Sequence, residues 1–297
     1  MLLANASNIR FVGINRRDYP GSTPFSAEET TVLASGSDDE KAVFLRSRGL
    51  EVADFVDRFV VNNNVPALSS DGQKGGFAIL GWSLGCAIAL AAVANIDALP
   101  AASKLPWQSD MRALLLQEAP TVAIGSPIPP KGWSPQLDNS IPAEDRGPLS
   151  TQWITSYFKH GDLSTRDLNA LTYVVPATFR APSIFSMTDE QISKIIYEPA
   201  ASGSEMLFMV FCAAQISANY KKACFDRSVR RSLPKMKVAA FTGDATLWCS
   251  LPAYWVMEED DKTHGGGLIN LKMIHGINHF VHWDDPAVAL RVYTEAL

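Results

Sequence analysis

Cysteine is scarce: Cys86, Cys212, Cys224 and Cys249 are the whole complement, far apart and with no C-x-x-C pair. That spacing excludes a disulfide-stapled scaffold and a cysteine zinc site, and reads as free thiols. Charge is also sparse. The balance is 26 basic against 31 acidic residues, a net −5. With no basic excess, nucleic acid and anionic membrane are not expected partners. Long apolar runs are missing too. The longest, Cys86–Ala94, falls far short of the roughly 20 residues a bilayer-spanning helix needs. The opening apolar triplet has no basic flank and is broken by Asn5, Ser7 and Asn8, so no signal peptide is expected. A soluble, cytoplasmic protein acting on a small molecule is the expectation, with oligomeric state left open.

What the chain does have is core-forming material. Of its 297 residues, 47% are hydrophobic, which is against disorder and gives either two domains or one large α/β domain with an insertion. No repeat or low-complexity tract is visible. Short apolar runs at Ile9–Ile14, Phe77–Leu80, Ala113–Leu116, Val238–Thr242 and Leu271–Ile274 read as strands. Between them lie helical signals. Ser37 with Glu40 three residues on fits a capping box, and Val52, Phe55, Val56, Phe59 and Val60 follow a helical stripe. Asp285-Pro286 opens a last helix, with Asp285 as N-cap and the proline at the first position. From Pro127 to about Leu233 the pattern changes to prolines, aromatics and helical segments. The expected architecture is therefore a mostly parallel sheet flanked by helices, with core segments 1–126 and 234–297 and a helical lid at 127–233.

One motif carries chemistry. Gly81-Trp82-Ser83-Leu84-Gly85 matches G-x-S-x-G, with an apolar strand before it and a small-residue helix after it. On such a strand-to-helix turn the serine backbone is strained and its hydroxyl is lifted off the sheet. Bulky side chains two positions either side are expected to collide, so both are read as sterically required glycines. The Leu84 N–H and the helix N-terminus face an incoming oxyanion.

Here the sequence resembles the α/β-hydrolase fold superfamily, from about Ile9 to the C-terminus. Two further motifs follow the family's order: Asn15-Arg16-Arg17-Asp18-Tyr19-Pro20-Gly21-Ser22, similar to its D-x-R-G-x-G-x-S loop, and Asn278-His279-Phe280, similar to its G-H-F loop. The resemblance implies Ser83 as nucleophile, His279 as general base and Leu84 as oxyanion donor. The acid stays open between two residues. Asp244 follows the seventh-strand candidate but stands one residue after Gly243, whereas the usual place, three after the glycine, holds Thr246. Glu118 follows the sixth-strand candidate, where some members keep their carboxylate. Trp82 and Phe280 are candidate pocket residues. Arg16 and Arg17 are expected to hold the Asp18 turn through hydrogen bonds, with binding of a substrate carboxylate as the alternative. No metal and no organic cofactor is implied.

The implied activity is cleavage of a small or medium carboxylic ester, thioester or lactone through an acyl-enzyme on Ser83. The family's three earlier strands and its His-Gly oxyanion loop have no counterpart here. That raises two alternatives: an N-terminally incomplete fragment with little activity, or a non-catalytic ligand-binding protein of the same fold.

Overall fold

The computed structural model describes Ala4 and residues 7–297. The triplet Met1–Leu3 and Asn5, the basis for expecting no signal peptide, lie outside the described residues. Four parallel strands form one sheet in sequence order: β1 (Phe77–Trp82), β2 (Met111–Gln117), β3 (Lys237–Gly243) and β4 (Asn270–Ile274). Six helices frame it: α1 (Ala27–Ser35), α2 (Asp38–Asn62), α3 (Gly85–Ala94), α4 (Ala101–Asp110), α5 (Ser250–Thr263) and α6 (Pro286–Ala296).

Alternation along the strands explains the layering. Leu114, Leu116, Val238 and Ala240 enter a core with α2 and α3, while Ala113, Leu115, Ala239 and Phe241 enter a second core against α6. Successive strand side chains point to opposite faces, so the near-continuous apolar strands are those of a sheet covered on both sides. Small residues let α2 and α3 approach closely. A Cβ on Gly49 would sit 2.5 Å from the Ala91 carbonyl carbon. The expected capping box Ser37/Glu40 is formed, and so are two more, Ser26/Glu29 and Thr188/Gln191.

Ile9–Ile14 is not a strand. The segment is irregular and pairs with no ladder, and Phe11 is 54% exposed. Among the described residues β1 pairs only with β2. An apolar run without a neighbouring strand has no partner for its backbone groups and gains nothing from being extended. At the other end Pro286 does open α6, but the Asp285 side chain makes no cap. It accepts a hydrogen bond from Arg180 instead.

Segment 127–233 contains no strand, and its apolar residues divide between two clusters. Ala213–Phe225 packs into the main core through Ile216, Tyr220 and Ala223. Trp153, Phe158, Leu171 and Tyr173 instead cluster with Leu247, Trp248, Leu251, Tyr254 and Trp255 at the start of α5. All four cysteines are free. Among the described residues no helix is long and apolar enough to cross a membrane.

Candidate active site

Register gathers the candidate residues at one edge. Trp82 pairs with Gln117 and Gln117 with Phe241, so Ser83 and Glu118 leave adjacent strands side by side. Both adopt the left-handed conformation, at φ +54° and +52°. Such a backbone costs of the order of 1–3 kcal/mol for a residue with a side chain and persists where the surroundings enforce it. Here the next strand enforces it: Ser83 N donates to Gln117 O at 3.0 Å, and Glu118 N to Phe241 O at 2.8 Å. The carboxyl ends of parallel strands are where open α/β sheets place ligands.

The two elbow glycines differ. A Cβ on Gly81 would lie 2.5 Å from Cys86 Cα, whereas one on Gly85 would meet open space. Steric need therefore holds for Gly81 and not for Gly85. Leu84 stands at the N-cap of α3, where backbone N–H groups have no intrahelical acceptor.

Glu118 and His279 form a sealed pair. His279 Nδ1 lies 3.3 Å from Glu118 Oε2, and both side chains are 1% exposed. The carboxylate also accepts from Gly243 N at 2.5 Å and Thr246 Oγ1 at 2.6 Å. A buried carboxylate needs such donors, because an unpaired one would be expelled or neutralised. The other ring nitrogen of His279, Nε2, is buried without a partner among the described residues. It is free to take a proton from a hydroxyl brought to it.

Asp244 lies elsewhere in the network. It accepts from Gly276 N at 2.7 Å and pairs with His275 Nδ1 at 2.6 Å; the His275 ring is 97% exposed. The structure thus brings Glu118, and not Asp244, to His279. Thr246, at the family's usual acid position, is a donor to that glutamate. Sequence reasoning gave this threonine no role, although its place in the motif was the available signal.

Aromatic rings close the site. Trp82 Nε1 donates to the His279 carbonyl at 3.0 Å, and its ring centroid lies 5.3 Å from His279, 5.0 Å from Phe280 and 4.6 Å from His282. His282 meets Gln117 Nε2 at 3.0 Å. Desolvation, and then the nearby His279, push its pKa down to about 4. Arg16 pairs with Glu205 and Arg17 with Glu29 and Glu51, while the Asp18 turn is held by Phe25 N. Arg17 also donates to Pro24 O at 3.1 Å, so it holds the Asp18 turn as well as tying it to the helices, whereas Arg16 reaches Glu205 instead.

No family model matches the sequence, and no curated protein matches it. Solved structures do. The peroxisomal α/β-hydrolase Lpx1 of Saccharomyces cerevisiae is similar at 15% identity over 76% of this chain, TM-score 0.37. A structure from work on carboxylesterases of Nitrososphaera gargenis is similar at 15% over 83%, TM-score 0.32. MGS-M2, an α/β-hydrolase from a Medee basin deep-sea metagenome library, is similar at 13% over 82%, TM-score 0.34. The chain spans 53% of the length of Lpx1 and 70% of each of the other two. The chain's own features carry the fold assignment. Its parallel sheet between helix layers, with a serine elbow after β1 and a histidine loop after β4, is an α/β-hydrolase-like fold.

Proposed function

We propose that the chain is a serine hydrolase of a small or medium carboxylic ester, thioester or lactone. The single observation that carries this reading is the sealed Glu118–His279 pair, with Nε2 left unpartnered and the Trp82 ring of the elbow 5.3 Å from the imidazole. A buried carboxylate on Nδ1 fixes the tautomer whose Nε2 accepts a proton, and it stabilises the imidazolium that results.

In this reading His279 Nε2 takes the Ser83 proton as the serine oxygen attacks the carbonyl. The Leu84 N–H donates to the developing oxyanion at the N-terminus of α3. His279 then returns the proton to the leaving group, and the acyl group stays on Ser83. Water, deprotonated by the same nitrogen, releases the acid. Glu118 is the acid of the triad, and Asp244 is assigned to the turn it makes with His275 and Gly276. Trp82 and Phe280 form a wall of the acyl or alcohol pocket, and residues 127–233 serve as its lid. The scheme needs no cofactor.

Intact mass after treatment with a fluorophosphonate, followed by 4-nitrophenyl esters of graded acyl length, tests the reading. One adduct on the parent protein, none on Ser83→Ala and turnover of at least the short esters support it. A cooperatively folded parent that takes no adduct overturns it in favour of the ligand-binding alternative.

A further inference from the structure

The segment 155–183, part of the expected lid, is bonded to the loop after β3, which carries Thr246, and to the loop that carries the histidine. Phe158 N donates to Ala245 O at 2.9 Å. Asn278 Nδ2 donates to Thr155 O and Ser183 Oγ, both at 2.8 Å, and Tyr157 OH donates to Asp284 Oδ2 at 2.5 Å. Ala245 N in turn donates to Ile277 O at 3.1 Å. Free gating of this stretch would break its bonds to Ala245, Asn278 and Asp284.

One residue in it has a more specific reach. His160 Nε2 lies 2.8 Å from Thr246 O, and its Nδ1 accepts from Thr172 N at 3.0 Å. A carbonyl only accepts and a backbone N–H only donates, so the ring is neutral with its proton on Nε2. The ring also stacks on Phe158, at 6.2 Å between centroids and 19° between planes. Thr246 is the residue whose hydroxyl donates to Glu118 Oε2, the oxygen nearest His279. Desolvation holds His160 below the usual histidine range, against the pull of its Thr246 bond and of Asp244.

We propose that His160 is a positioning residue: by pinning the Thr246 backbone it sets the hydroxyl that holds the Glu118 carboxylate against His279. The inference rests on the triad reading above. The chain of bonds runs from the Thr172 N–H through the His160 ring, the Thr246 backbone and hydroxyl, and the Glu118 carboxylate to His279. A carboxylate held on one side by a hydroxyl shifts when that hydroxyl shifts, and displacement by about 1 Å at a catalytic centre costs up to about a hundredfold in rate.

Two variants separate positioning from bulk. His160→Phe keeps the stacking plane and removes both hydrogen bonds. His160→Gln carries an amide donor for Thr246 O and an acceptor for Thr172 N. The first readout needs no turnover: the far-downfield proton resonance of the Glu118–His279 hydrogen bond. It is expected in the parent and in His160→Gln, and displaced or lost in folded His160→Phe. The second is kinetics on a 4-nitrophenyl ester. His160→Phe is expected to lose about tenfold or more in kcat with KM within about twofold. The acid limb of its kcat/KM profile should move to lower pH, because a displaced carboxylate stabilises the His279 imidazolium less. His160→Gln should recover most of both. Thr246→Val should show a similar loss, and the double variant His160→Phe/Thr246→Val should be little worse than the poorer single one. An unmoved resonance in folded His160→Phe overturns the proposal. So does a loss of kcat that His160→Gln shares with the acid limb in place. If Ser83 in the parent takes no fluorophosphonate, the triad reading fails, while the resonance still decides whether His160 places the glutamate.

Discussion

Glu118 Oε2 lies 3.3 Å from His279 Nδ1, and neither side chain touches solvent to any extent. The two residues stand 161 positions apart in sequence, on loops that follow β2 and β4. Their meeting depends on the sheet order that brings the ends of four parallel strands to one edge.

If Glu118 is the acid, Glu118→Gln should lower kcat/KM by about 10⁴-fold, the size of effect seen when a triad carboxylate becomes an amide. It should also cost about 1–3 kcal/mol of stability, because the new amide group faces the donors Gly243 N and Thr246 Oγ1. Asp244→Asn should change the rate less than about fivefold, since an exposed pair such as Asp244–His275 is worth at most about 1 kcal/mol. Steady-state kinetics on one ester, with melting curves for each variant, checks both. A reversed ranking would return the acid to Asp244.

The elbow glycines should respond differently to the same change. Gly81→Ala drives a Cβ to 2.5 Å from Cys86 Cα and 2.8 Å from its nitrogen, both backbone atoms that cannot step aside. A loss of about 1–3 kcal/mol or more is expected. Gly85→Ala enters open space at the first position of α3 and should change stability by less than about 0.5 kcal/mol. Denaturant melts of the two variants side by side make the comparison.

Much of this was legible in the sequence, and what was not has a physical cause. Gly81, Ser83 and the strand before them declare themselves locally, because the strained turn restricts which residues fit. Phe77–Trp82, Met111–Gln117, Lys237–Gly243 and Asn270–Ile274 all contain the apolar runs read as strands. Ile9–Ile14 has the same composition but no ladder partner, and pairing is a property of neighbours rather than of a run. The acid could not be chosen from spacing. Asp244 and Glu118 both follow strands, and only the packed loops show which carboxylate faces the histidine. Nor could the packing of each helix within 127–233 be read. Ala213–Phe225 continues the helical pattern of 127–233, yet its apolar face joins the main core. His160 belongs to none of the motifs, and only the fold sets it against Thr246.

Acid should destabilise the protein through its buried rings. The folded state lowers the pKa of His160 by desolvation, and that of His282 to about 4, from an ordinary 6.5. Between the folded and unfolded values the unfolded chain binds more protons, so stability rises with pH there. The contribution is complete above about pH 6.5 and is lost as pH falls toward the folded values. Melting temperatures of the parent should therefore drop between pH 6.5 and about 4, and His160→Gln, lacking one of the two rings, should drop less steeply. Equal slopes for the two proteins would count against the His160 contribution.

Fluorophosphonate labelling read by intact mass tests the central claim most directly, on the parent, Ser83→Ala and Glu118→Gln together. The triad account predicts one adduct on the parent, none on Ser83→Ala, and labelling of Glu118→Gln slowed by orders of magnitude. A folded parent that stays unlabelled, or a Glu118→Gln variant that labels as fast as the parent, would contradict it.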